Sequence, residues 1–130
     1  MRKLALLVIM FSMLALPISA CSGQAADPAS KAVEDYLNAM VAKDSTKLSA
    51  LSCASWEPNA LLELDSLQAV NVRLQGLSCK TSSTGSGTSD VNCQGSMVAT
   101  YNGEDSPLNI SARTYQVVQQ GGNYLVCGYK

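Results

Sequence analysis

Histidine is absent from the 130-residue chain. Histidine is the side chain that titrates nearest neutral pH, so its absence excludes Ser/His and Cys/His nucleophile systems built within one chain. A carboxylate with a raised pKa could still act, and the candidates are Glu57, Glu63 and Asp65. We expect Glu63 and Asp65 on the solvated side of a helix and Glu57 at its cap. With no recognisable catalytic constellation, we predict that the protein is not an enzyme.

Charged and aromatic residues are also scarce, at 15% and 5% of the chain. The chain has ten acidic and nine basic residues. The sequence therefore offers no basic surface for nucleic acid or anionic lipid. Neither Asp44 nor the pair Glu104-Asp105 has the alternating carboxylate spacing of a calcium loop. We therefore expect no metal, no cofactor and no nucleic-acid partner.

What is present begins with the amino terminus, where Arg2-Lys3 precedes an apolar stretch from Leu4 to Leu16. A basic start, a short apolar stretch and then small residues are typical of an export signal. The stretch is shorter than the roughly 20 residues that a spanning helix needs. Its end, Ile18-Ser19-Ala20-Cys21, resembles the lipobox of bacterial lipoproteins. The alternative is an ordinary signal cut near Ala20, which would leave Cys21 as a free thiol.

The lipobox resemblance implies that residues 1–20 are a removed signal peptide and that Cys21 carries a diacylglyceryl group, often with an amino-terminal acyl chain such as palmitate. Two or more acyl chains hold a protein firmly at a membrane. The expected location is the cell envelope outside the cytoplasm. Because Ser22 rather than aspartate follows Cys21, this means the outer membrane in an enteric Gram-negative host, and otherwise the outer leaflet of the plasma membrane.

The mature chain then divides into a lipidated cysteine with a short tether, residues 21–26, and a single domain, residues 27–130. Without Arg2 and Lys3, seven basic residues remain against ten acidic ones, a formal charge of −3. An even set of cysteines in an exported domain suggests two disulfides, with three possible pairings. No two of the four are closely spaced, which argues against zinc. They are Cys53, Cys79, Cys93 and Cys127.

Three helices are expected first. Asp27 can cap the first, with Pro28 in its opening turn, and Lys43-Asp44 ends its apolar stripe. A second helix is expected from Ser45 to about Ser52, and a third beginning at Pro58. The stripe of the first helix repeats every three to four positions, at Ala29, Ala32, Val33, Tyr36, Leu37, Met40 and Val41.

Strands follow, because from Val70 the apolar residues alternate with polar ones. At Gly76 the alternation slips by one residue, which predicts a β-bulge. The Ser/Thr/Gly tract of residues 81–90 predicts a flexible hairpin loop. The fold class is therefore α+β, with amino-terminal helices packed on a curved antiparallel meander of about four strands. Later strands are expected at residues 91–101, 108–119 and 124–129.

Two segments resemble small exported proteins of the nuclear transport factor 2-like superfamily, the cystatin-like cone. They are AVEDYLNA at residues 32–39, followed by Lys43-Asp44, and GGNYLVC at residues 121–127. The resemblance covers roughly residues 27–129. It implies that the first helix lies across a curved sheet and forms a cone whose mouth often holds a ligand.

The meander itself favours one disulfide pairing. Cys79 and Cys93 would flank one hairpin on adjacent strands and point to the same face, which leaves Cys53 to pair with Cys127. In the chain-entropy model the shorter loop contributes about 3 kcal/mol and the longer one nearer 4.5 kcal/mol. The longer bridge would tie the helical segment to the last strand.

The expected function is non-enzymatic binding of a small ligand or peptide by this lipid-tethered domain. Arg113 could anchor an acidic ligand. The alternative to a pocket is a structural role, in which Trp56, Tyr36 and Tyr101 belong to the core and Arg113 lies on the outer face. The alternative function is a structural or interaction protein that docks onto another envelope component through an exposed apolar patch. Aromatic residues that could line the pocket are Trp56, Tyr36, Tyr101, Tyr115 and Tyr124.

Overall fold

The computed structural model describes residues 27–130, so the predicted signal peptide, lipobox and tether lie outside the described residues. Three helices precede one five-stranded antiparallel sheet, the predicted α+β class. The helices are α1 (Pro28–Ala42), α2 (Ser45–Ala50) and α3 (Glu57–Ser66). The strands are β1 (Asn71–Gly85), β2 (Thr88–Tyr101), β3 (Glu104–Asn109), β4 (Thr114–Gln120) and β5 (Asn123–Tyr129), with a 3-10 turn at Ile110–Ala112 between β3 and β4.

Helix α1 begins and ends where the sequence predicts. The Asp27 carboxylate accepts a hydrogen bond from the Ala29 amide at 3.3 Å, and Pro28 lies in the first turn. Lys43 ends the helix in the left-handed conformation. Asp44 then caps α2 by accepting from the Lys47 amide at 2.9 Å. The buried face of α1 packs on the sheet, and its largest fully buried side chains are Tyr36, Leu37 and Val33.

Helix α3 differs slightly from the expectation. It begins at Glu57, with Pro58 one position later, and no side chain caps its amino end. The predicted capping role of Glu57 is therefore wrong. The first turn is held instead by backbone hydrogen bonds from the Trp56 and Glu57 amides to the Cys53 carbonyl, both at 2.9 Å.

The predicted loop at residues 81–90 is wrong, because strands β1 and β2 continue through it to a two-residue turn at Ser86-Gly87. Both turn residues have positive φ, 40° and 81°, as in the type I′ turn that suits the twist of a hairpin. Residues 82–85 of β1 are exposed, and on β2 the buried side chain of the tract is the small Ser89. This outer part of the hairpin therefore buries no large side chain and shows no apolar alternation.

The bulge predicted at Gly76 is present, with the register of β1 and β2 shifting between Gln75 and Ser78. Gly76 has a φ of 63°. Opposite it, Gly95 has a φ of 102°, and a Cβ placed there would lie 2.7 Å from the carbonyl carbon of Gly76. The two glycines let the backbones approach closely, which bends the sheet around α1.

The sheet has five strands because the predicted strand at residues 108–119 is split in two. Strand β3 pairs with the carboxyl half of β2, and β4 pairs with its amino half along the same edge. Between them, Asn109 caps the 3-10 turn by accepting from the Ser111 amide at 3.0 Å. Ile110 in that turn is 2% exposed and fills the core, and Arg113 follows directly.

The four cysteines form two pairs, Cys79 with Cys93 and Cys53 with Cys127, as the meander favours. Cys79 and Cys93 face each other across β1 and β2 with their Cα atoms 4.0 Å apart. The second pair joins the segment after α2 to β5, where Ser52 and Val126 also form a parallel bridge.

Strand β1 lies at the edge of the sheet, and α1 covers part of that edge. The close Cα approach of Cys79 and Cys93 is that of a non-hydrogen-bonded pair, so the Cys79 amide points away from β2. It donates to the Glu34 carboxylate of α1 at 3.0 Å. Two residues further along β1, the Thr81 hydroxyl donates to Asp27.

Candidate functional site

A cavity of about 250 Å³ lies between the carboxyl half of α1, the end of α3 and the strands β2 and β3. Its walls are mainly apolar, while one part carries the side chains of Glu63 and Arg113. The residues that line it are Tyr36, Leu37, Met40, Glu63, Ser66, Leu67, Met97, Leu108 and Arg113. Apolar walls with a few polar groups are typical of small-molecule sites.

Of the predicted pocket residues, the structure brings Tyr36 and Arg113 to this cavity. Trp56 lies behind Tyr36 and donates its indole N–H to the Tyr36 hydroxyl at 3.1 Å. Its ring packs on the backbone at Gly128 and meets the edge of Tyr129 with centroids 5.4 Å apart. Trp56 therefore supports the wall of the cavity without lining it.

The other predicted tyrosines lie elsewhere. Tyr101 is 63% exposed in the last position of β2, opposite Glu104. It belongs neither to the core nor to the cavity, which corrects both interpretations of that residue. Tyr124 is half-buried beside Asn123 in β5 and packs against the core from a shallow depression near Pro28.

Tyr115 lies fully buried between Tyr36 and Tyr129, with ring centroids 6.5 Å and 5.7 Å away. Among residues 27–130 its hydroxyl makes no hydrogen bond of good geometry, and the Arg113 guanidinium is the charged group that approaches it. Burial raises the pKa of Tyr115, and the nearby Arg113 guanidinium opposes part of that rise. A buried hydroxyl without a well-formed hydrogen bond is destabilising, because it has lost its bonds to water.

The polar part of the cavity is built from three elements. Glu63 of α3 accepts a hydrogen bond from the Tyr129 hydroxyl with its Oε1 atom. Its Oε2 atom lies 3.8 Å from Nη1 of Arg113, with the two side chains 29% and 37% exposed. The Arg113 guanidinium also lies over the ring of Tyr129, 4.0 Å from its centroid, in a cation–π contact.

The tyrosines of this site resist ionisation. Burial raises the pKa of Tyr36 above its usual value, the Trp56 hydrogen bond offsets part of the rise, and the Glu63 charge adds to it. Burial also raises the pKa of Tyr129, to about 12, and the hydrogen bond to Glu63 contributes further. All these tyrosines are therefore neutral near pH 7.

Glu63 was expected on the solvated side of α3, and the structure places it in the cavity. The missed signal is its position, because Ala60, Glu63, Leu64 and Leu67 share one face of the helix at the spacing i, i+3, i+4, i+7. Of these, Ala60 and Leu64 are buried. Asp65 is exposed as expected. Sequence reasoning also missed the cavity residues Ser66, Leu67, Met97 and Leu108.

Compared with protein-family models and with curated proteins, the sequence matches none of them. Within residues 27–130, no helix is both long and apolar enough to cross a bilayer. In the same part of the chain, no group of three or more Cys, Asp and Glu side chains is arranged to hold a metal ion.

Proposed function

We propose that the protein is a lipoprotein held at the cell envelope by Cys21, with a nuclear transport factor 2-like domain that binds a small amphipathic ligand without changing it chemically. The observation that carries this proposal is the cavity, in which apolar walls from α1, α3, β2 and β3 adjoin the Glu63–Arg113 pair. The helix-on-curved-sheet arrangement and the lipobox-like sequence at residues 18–21 support it.

The walls of the cavity favour the apolar part of such a ligand. Leu37, Met40 and Met97 face it from two sides. Covering roughly 150 Å² of ligand apolar surface would contribute about 4 kcal/mol, at about 25 cal/mol per Å². The polar groups then fix the orientation of the ligand, since a charged group left against the apolar wall would lose its hydration.

Binding without catalysis fits the polar groups better than an enzyme does. Glu63 is the carboxylate in the cavity, and its oxygens already face the Tyr129 hydroxyl and the Arg113 guanidinium. Within the described part of the chain, the lining of the cavity contains no second carboxylate that could complete an acid–base pair with Glu63. The other two carboxylates that the sequence offered, Glu57 and Asp65, do not line the cavity.

Docking onto another envelope component is the second candidate. It is favoured by the exposure of large apolar side chains, namely Leu62 at 69%, Tyr101 at 63% and Leu108 at 43%. These side chains belong to α3, β2 and β3. Such exposure marks a contact surface when the side chains are contiguous.

The anchor is tested by Cys21→Ser. The variant should move from the membrane fraction to the soluble fraction and should unfold at the same urea concentration as the native domain. The reason is that the acyl chains lie outside the folded core. If the variant stays with membranes after a high-salt wash, the anchor assignment is wrong.

The cavity is tested by native mass spectrometry of protein extracted gently from its own host membranes. A discrete extra mass that is lost on denaturation would mark a bound small molecule. Ser66→Trp should remove this mass by filling the cavity, whereas Leu62→Trp, on the exposed side of the same helix, should keep it. An extra mass that survives in Ser66→Trp places the ligand elsewhere, and a bare protein favours docking.

A further inference from the structure

The polar part of the cavity contains one charge of each sign, and both are partly open to the cavity. Oε2 of Glu63 and Nη1 of Arg113 are 3.8 Å apart, which is a weak ion pair and too long for a hydrogen bond. A ligand that carries a single charge would satisfy one member of this pair and face the like charge of the other.

Arg113 is positioned to receive a carboxylate. Its guanidinium lies over the Tyr129 ring, 4.0 Å from the centroid, and it also interacts with the Tyr115 hydroxyl. A guanidinium presents its N–H groups as a planar fork that matches the two oxygens of a carboxylate. The guanidinium has more N–H donors than the Tyr115 hydroxyl can accept, so donors remain available to a ligand.

Glu63 is positioned to receive a cation beside that carboxylate. Its Oε1 atom accepts from Tyr129, which fixes the side chain, while Oε2 faces Arg113 without a hydrogen bond. An ammonium group of a ligand can donate to Oε2. A second negative charge brought to Arg113 alone would be repelled by Glu63, because like charges a few ångströms apart in a partly buried site are weakly screened.

We propose that the cavity selects a zwitterion whose carboxylate and ammonium groups lie on one carbon and whose side chain is apolar, namely an apolar α-amino acid. Its two charges would lie antiparallel to the Glu63–Arg113 pair, carboxylate beside guanidinium and ammonium beside carboxylate. This inference rests on the proposed ligand-binding function and names the class of ligand.

The size of the cavity fits this class. Its volume is about 250 Å³, which is below the roughly 300 Å³ at which sites for drug-sized ligands begin. A ligand of the size of leucine therefore suits it better than a larger one. Its side chain would lie against the apolar walls, which include Leu37, Met40, Leu67 and Met97.

Three ligands of one shape test the inference by calorimetric titration of the mature lipoprotein in lipid nanodiscs. They are leucine, 4-methylpentanoate, which lacks the ammonium group, and 3-methylbutylamine, which lacks the carboxylate. Leucine should bind at least about tenfold more tightly than either of the two analogues, a factor that corresponds to about 1.4 kcal/mol in binding free energy. This comparison uses the native protein, so it does not depend on how any variant folds.

Two variants assign the charges. Glu63→Gln should weaken leucine binding about tenfold or more and leave 4-methylpentanoate equally or more tightly bound, because the repelling carboxylate is gone. Arg113→Gln should weaken both. Asp65→Asn on the exposed side of α3 and Lys80→Gln on β1 are the charge-matched controls, and they should change neither. A merely structural role of Glu63 would weaken both ligands together.

Each contrary result has a distinct meaning. If 4-methylpentanoate binds native protein as tightly as leucine, or if 3-methylbutylamine does, the zwitterion inference is overturned. If none of the three binds while a bound mass sensitive to Ser66→Trp is present, the inference is overturned and the proposed binding function stands. If neither binding nor a bound mass is found, both fail.

Discussion

Removing the two disulfides separately should destabilise the domain by unequal amounts. The Cys53–Cys127 bridge joins residues 74 positions apart, and the Cys79–Cys93 bridge joins residues 14 apart. In the chain-entropy model, the cost of closing such loops in the unfolded chain gives about 4.5 kcal/mol for the long bridge and about 3 kcal/mol for the short one. The difference, about 1.5 kcal/mol, is roughly tenfold in the folding equilibrium.

The hydrogen bonds around each bridge also predict a larger loss of stability for the long bridge. Without its bridge, Cys79 still lies opposite Cys93 in a ladder that continues on both sides and closes at Ser86-Gly87. The segment around Cys53 has less support. It is joined to Val126 of β5 by two backbone hydrogen bonds, of 2.8 and 2.9 Å. Loss of the long bridge should therefore cost more in the folded state as well.

The assay is urea unfolding of Cys53→Ala/Cys127→Ala and Cys79→Ala/Cys93→Ala, followed by the fluorescence of Trp56. Replacing both members of a bridge leaves no free thiol from that pair. The variant lacking all four cysteines should lose about 7.5 kcal/mol, which is comparable with the whole stability of a small domain, so it should be largely unfolded. A loss in the short-bridge variant equal to or greater than that in the long-bridge variant would refute this reasoning.

Two further predictions concern the buried tyrosines. Tyr115→Phe should raise the free energy of unfolding by about 1 kcal/mol because it removes a buried hydroxyl that lacks a well-formed hydrogen bond. Tyr36→Phe should lower it by about 1 kcal/mol because it breaks the hydrogen bond from Trp56. In urea titrations, a loss of stability in Tyr115→Phe or an unchanged stability in Tyr36→Phe would contradict the corresponding prediction. Folding raises the pKa of Tyr36 and of Tyr115. Their contribution to the free energy of unfolding is therefore complete below pH 10 and declines above it, by up to about 1.4 kcal/mol per pH unit for each tyrosine. Tyr36→Phe should make this alkaline decline shallower, and an unchanged slope would show that Tyr36 does not cause it.

The parts of the fold that sequence reasoning predicted depend on local patterns. The first helix follows from its apolar spacing and from the Asp27 cap, and the bulge follows from the slip in alternation at Gly76. The disulfide pairs followed once the order of the strands was assumed. In each case neighbours in sequence determine the outcome, so the chain itself contains the signal.

The parts that were missed depend on which elements meet in space. Residues 81–90 form strands although they have no apolar alternation, because a two-residue turn and pairing between polar strands are enough there. Glu63 lies in the cavity because α3 turns that side toward Arg113 and Tyr129, which are 50 and 66 positions later in the chain. The split between β3 and β4 lies at the 3-10 turn, where Asn109 caps the turn and Ile110 is buried in the core.

The contacts of α1 with β1 protect an edge of the sheet from pairing with other chains. An uncovered edge strand offers its amides and carbonyls to any other extended chain, and this is a common route to fibrils and to swapped dimers. Glu34 accepts the hydrogen bond of the outward Cys79 amide. That amide is therefore not available to pair with another extended chain at the middle of β1. The charge of Glu34 would also have to be desolvated before a foreign strand could add there, so this position resists strand addition.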